Sequence, residues 1–105
     1  MNEENIKALY SKAINFIDIW IKQPENIKKI GDEIEPKYLK NINDLRFKNT
    51  RITLIWLNRD NENYKVCITI YFFGDSGILL GEFLYFEDMQ GNYIEDRIYF
   101  FEIFD

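Results

Sequence analysis

The sequence predicts an α+β fold, a long N-terminal helix plus short helical segments packed on one face of a curved four-stranded antiparallel β-meander. It forms a single domain over 1–105, with a helical part at 1–45 and the meander at 46–105. Three observations predict this. Apolar residues recur every three or four positions as far as Trp20, they recur every second position after Arg46, and the segments between the later runs are too short for crossover helices.

The first helix is read from Ile6, Leu9, Ala13, Phe16, Ile17 and Trp20, with Tyr10, Ile14 and Ile21 widening the stripe. Asn2 is placed to cap its start, and Pro24 follows its end. A short second helix is expected from Pro24, which suits a first helical position, to Gly31, which suits the residue after a last one. Pro36–Lys40 suggests a further helical turn.

Four strands follow, with one-face sets Ile52/Leu54/Trp56, Tyr64/Val66/Ile68/Ile70/Phe72, Ile78/Leu80/Leu84/Phe86 and Ile94/Ile98/Phe100/Phe104. Turn-forming residues separate them at Asn58–Asn63, Gly74–Gly77 and Asp88–Asn92. On the alternate face Arg51, Thr53, Lys65, Thr69, Glu87, Glu95 and Arg97 are polar, as a one-sided sheet requires. Ile55, Leu57, Tyr71, Phe73, Leu79, Phe83, Tyr85, Tyr99, Phe101 and Ile103 are not. Two explanations fit, singly or together: a strongly curved sheet with a bulge at Gly81 that changes which side chains point inward, and an apolar patch used for dimerisation or for a partner.

With 105 residues, 47% of them hydrophobic, the chain can bury roughly 65% of its unfolded surface in one core. Its single cysteine, Cys67, cannot form an intramolecular disulfide, which suits a reducing cytoplasm, and it falls in an apolar strand where a buried inert thiol is expected. Glu3, Glu4 and Asp18 are incompatible with a secretory leader, and no apolar run approaches the ~20 residues that cross a bilayer.

The catalytic inventory is sparse. There is no histidine, and hence no histidine base and no usual zinc ligand. Gly74-Asp75-Ser76-Gly77 lacks the lysine of a phosphate loop, and Asp60-Asn61-Glu62-Asn63 lacks the spacing of a calcium loop. Glu82 and Glu102 sit among apolar neighbours, where a buried carboxyl could act as a general acid or base. Edge placement, or cross-strand pairing of Glu82, Glu95 or Glu102 with Arg97, explains them without chemistry. No enzyme, cofactor or metal site is expected.

Charge is the most informative feature for function. Residues 1–73 carry 12 Lys/Arg against 10 Asp/Glu, whereas residues 74–105 carry Arg97 against eight acids: Asp75, Glu82, Glu87, Asp88, Glu95, Asp96, Glu102 and Asp105. Acidity of this kind disfavours nucleic acid and anionic membranes as partners and favours a basic protein.

The order of elements resembles the cystatin-like and nuclear-transport-factor-like cones, which implies a helix resting in a curved sheet with an open end for a small ligand or partner. It is also similar to small acidic immunity proteins of bacterial toxin systems. Neither likeness assigns a residue. The function expected is a non-catalytic inhibitor or immunity protein, bacterial and cytoplasmic, that neutralises a basic partner such as a nuclease toxin. Its expected contact residues are Glu82, Tyr85, Glu87, Asp88, Tyr93, Glu95, Asp96, Tyr99 and Phe101. The alternatives are a cone binding a small apolar ligand near Trp20, Trp56 and Tyr71, with or without carboxylate catalysis, and a homodimer through the second sheet face.

Overall fold

A computed structural model of the chain describes residues 2–57 and 63–104. The acid Asp105 and all of the Asn58–Asn63 turn except Asn63 lie outside the described residues. The elements run α1 (Glu3–Trp20), α2 (Pro24–Glu33), a 3₁₀ turn (Ile42–Asp44), β1 (Arg46–Trp56), β2 (Tyr64–Phe73), a 3₁₀ turn (Asp75–Gly77), β3 (Leu79–Asp88) and β4 (Tyr93–Phe100). The sheet is an antiparallel meander in the order β1-β2-β3-β4, so β1 and β4 are its edges.

Helix α1 starts where expected. The Asn2 carboxamide oxygen accepts from the Asn5 N–H at 2.8 Å and satisfies a donor that the helix itself leaves open. Helix α2 begins at Pro24 but continues through Gly31 to Glu33, so Gly31 is not its stop. Ile30 anchors this last turn in the core, and that burial outweighs the weak helix preference of glycine. Helical structure after Pro36 is confined to turns, with Tyr38 N–H donating to Glu35 O and the 3₁₀ turn at Ile42–Asp44.

The core fills the helix side of the sheet in two adjoining clusters. Ala13 and Ile17 of α1 close on Val66, Ile68, Ile70, Phe83 and Tyr85. Ile30, Ile34, Leu39 and Leu45 close on Phe72 and Leu80. Trp20, Ile21, Phe47 and Ile98 border both. Tyr64–Phe72 of β2 alternates as read from sequence, as do Ile52, Leu54 and Trp56 of β1.

Strand β3 is a correction. Phe83, Tyr85 and Glu87 point toward α1, whereas Leu84 and Phe86 point to the opposite face. The cause is a one-residue bulge: Phe72 faces Gly81 and Phe73 faces Leu79, so Leu80 is the extra residue and parity reverses. Similar shifts insert Thr50 into β1 and Ile94 into β4. Gly81 is required at its site, because a Cβ there would lie 2.0 Å from Tyr99 O and 2.7 Å from the Phe72 ring.

The outer face therefore carries fewer apolar groups than the sequence indicates, with Tyr71, Phe73, Leu79 and Tyr99 remaining on it. Phe83 and Tyr85 have turned inward, and Ile103 packs in the second cluster. Phe86, although outward, is buried beneath two cations, Lys65 Nζ at 4.9 Å and Arg97 at 5.1 Å from its ring centre. Glu95 ties these cations together, at 3.0 Å from Arg97 and 3.7 Å from Lys65. Thr69 and Cys67 are buried on the same face, and Arg51 stands 3.6 Å from Glu82.

Two glycine substitutions separate these constraints. Gly81→Ala is expected to lower unfolding stability by about 3 kcal/mol, because it forces backbone apart. Gly31→Ala, with nothing within 4 Å of the new methyl, is expected to raise it by about 0.5–1 kcal/mol. Urea denaturation of both variants measures the two signs.

Candidate functional site at the β4 rim

The turn that leads into β4 is built by Asp88. One carboxylate oxygen accepts the N–H groups of Gln90 and Asn92, each at 2.9 Å, and Gly91 takes a positive φ of 89°. The Asn92 N–H, first among these donors, holds the Asp88 carboxyl below its ordinary range. The stabilisation this gives is present at neutral pH and is lost as pH falls through that depressed range. Asp88 is thus occupied by its own turn.

Beyond the turn, Tyr93 lies flat on Phe16 of α1, ring centres 5.3 Å apart and planes inclined by 20°. Its hydroxyl donates to the Asp96 carboxylate. Ionising Tyr93 would remove that donor and set a phenolate against the carboxylate, and so the phenol is pushed from 10.0 up to about 12. Tyr93 is nonetheless 50% exposed, and Ile94, made prominent by the bulge, stands exposed beside it. On the outer side Tyr99 is exposed, and Phe101 packs edge-on against Tyr71 at 6.1 Å. Glu102 is exposed, and Phe104 is 87% exposed.

The nine residues expected to contact a partner do not form one surface. Tyr93 and Asp96 meet on the helix side of β4, Tyr99 stands on its outer side, and Phe101 follows the end of the strand. Glu95 and Glu82 lie on the outer face and are paired with cations. Tyr85 and Glu87 lie in the core beneath α1, out of reach of a partner. The Glu87 carboxylate meets Lys12 of α1 at 3.0 Å, and Tyr85 packs on Phe16 at 5.3 Å, its phenol pushed up by burial. Sequence reasoning missed Ile94 and Phe104 as surface residues. Ile94 was hidden by the bulge, and Phe104 follows the end of the strand, where alternation carries no information.

Trp20, Trp56 and Tyr71, expected around a ligand space, do not converge. Trp20 packs edge-on against Phe83, Trp56 against Tyr64 at the β1–β2 end, and Tyr71 occupies the opposite sheet face. Among the described residues no three acidic or thiol side chains approach one another closely enough to hold a metal, and no helix is long and apolar enough to cross a membrane. Comparison with protein-family models, curated proteins and solved structures gives no match.

The Tyr93–Asp96 bond can be tested by titration. Asp96→Asn is expected to bring the Tyr93 transition down toward 10.0, followed through ring-labelled Tyr93 by NMR. The parent protein should keep the full benefit of the bond below pH 10 and lose it as pH rises toward about 12.

Proposed function

We propose that this chain is a non-catalytic protein-binding domain that neutralises a basic partner, such as a bacterial nuclease toxin, through the β4 rim. One observation carries the reading: exposed Tyr93, Ile94, Tyr99 and Phe104 alternate along this rim with Asp96 and Glu102, while its sole cation, Arg97, is bound to Glu95. Among the described residues neither Asp96 nor Glu102 has a cationic partner within 4 Å.

Such a rim suits the surface of an enzyme that acts on nucleic acid, which must itself be positive. The carboxylates steer encounter at long range, and the aromatic groups supply contact area once water is displaced. Strand addition is not the mode. The Ile94 bulge and Asp96, a charge on the helix side of an edge strand, both oppose pairing with another strand. Side chains therefore make the contact.

The test is retention of proteins from the native cell's lysate on the tagged chain, at low and high salt, beside the double variant Asp96→Lys, Glu102→Lys. The expected result is one basic protein held at low salt, released at high salt, and bound by the double variant with an association rate lower by about tenfold or more. Equal retention by parent and double variant would refute the assignment of this rim.

A further inference from the structure

We propose that β1 pairs with β1 of a second copy of this chain through Ile52–Leu57, joining two four-stranded sheets into one eight-stranded sheet. The observation is independent of the β4 rim. Strand β1 is the other edge, and its two halves differ. Arg46, Lys48, Arg51 and the Thr50 bulge protect the first half against pairing, whereas Ile52-Thr53-Leu54-Ile55-Trp56-Leu57 carries no charge, proline, glycine or bulge.

Backbone phase specifies the register. Leu57 N–H donates to Asn63 O at 2.9 Å, so Leu57, Ile55 and Thr53 direct their peptide groups toward β2. The N–H and C=O groups of Ile52, Leu54 and Trp56 then point away from the sheet. Antiparallel pairing about Leu54 sets Ile52 against Trp56 of the second copy and Leu54 against Leu54, which uses all three open residues of each copy. Arg51 then falls opposite the uncharged Leu57, and no like charges meet within the paired segment.

Side chains favour the same arrangement. Ile52, Leu54 and Trp56 share the helix side, where α1 leaves β1 incompletely covered. Leu54 is 42% and Trp56 49% exposed, beside exposed Ile6. Ile6, Tyr10, Ile52 and Leu54 line a cleft of about 350 Å³, and the register places Trp56 of the second copy at its mouth. The β4 edge of another copy fits less well, because its helix-side Asp96 would be set against this apolar row. It would also leave each new β1 open, so the chain would keep growing.

Light scattering across the micromolar range and hydrogen exchange test the proposal together. The expected result is a species of twice 12.8 kDa, with protection of the Ile52, Leu54 and Trp56 amides that increases with concentration. Leu54→Lys should return the mass to 12.8 kDa and release those amides while circular dichroism shows the fold retained. Leu54→Pro, which removes only an outward N–H, should do the same if the lysine variant fails to fold. A parent protein that stays monomeric at high micromolar concentration would overturn the proposal. So would an open series of larger species, or a dimer that survives Leu54→Lys with those amides unprotected.

Discussion

The backbone oxygen of Tyr99 and the ring of Phe72 close over Gly81 so tightly that no side chain can stand there. Leu80 is extruded from the ladder immediately before it. A strand has only two faces, so one extra residue reverses every side chain on one side of it. Because of that reversal Phe83 and Tyr85 meet Ile17 and Phe16, and Glu87 meets Lys12. Without it, Leu84 and Phe86 would face α1, and Phe83 and Tyr85 would face the opposite side.

The opposite face follows from the same reversal. Phe86 turned outward needs cover, and with no helix on that side among the described residues Lys65 and Arg97 supply it, their cations lying over the ring while Glu95 joins them. Three of the chain's charges are consumed in roofing one aromatic ring. An acidic count taken along the sequence overstates the acidic surface for this reason. Glu95 belongs to the roof, Glu82 to Arg51, Glu87 to the core and Asp88 to its turn.

The helices and the meander were legible because their signals are local. The three- and four-residue stripe of α1, the Asn2 cap and the turn residues at Gly74–Gly77 and Asp88–Asn92 each act within a few positions. Face assignment was legible on β2, which has no extra residue, and on β4 from Glu95 to Phe100, but not on β3 beyond Leu80 or at Ile94, where the unpaired residues carry no mark. Gly81 suggested a bulge but not its direction. The residues named for a partner are scattered accordingly: Tyr93, Asp96 and Tyr99 lie on the β4 edge, Tyr85 and Glu87 were assigned to the wrong side and are buried, and Ile94, read as inward, stands exposed.

The two edges of the sheet meet one physical problem, unpaired peptide groups, in different ways. At β4 a bulge and an inward carboxylate prevent strand addition, and what remains available is a row of aromatic and acidic side chains. At β1 the protective devices stop at Arg51, and the uncharged residues beyond it present both peptide groups and apolar side chains. Covering β1 costs no carboxylate its solvation, whereas covering β4 is favourable only when the partner brings positive charge. In the proposed dimer joined through β1 the two β4 rims lie at opposite ends of the eight-stranded sheet, so that self-association and the proposed capture of a basic partner would not compete for surface.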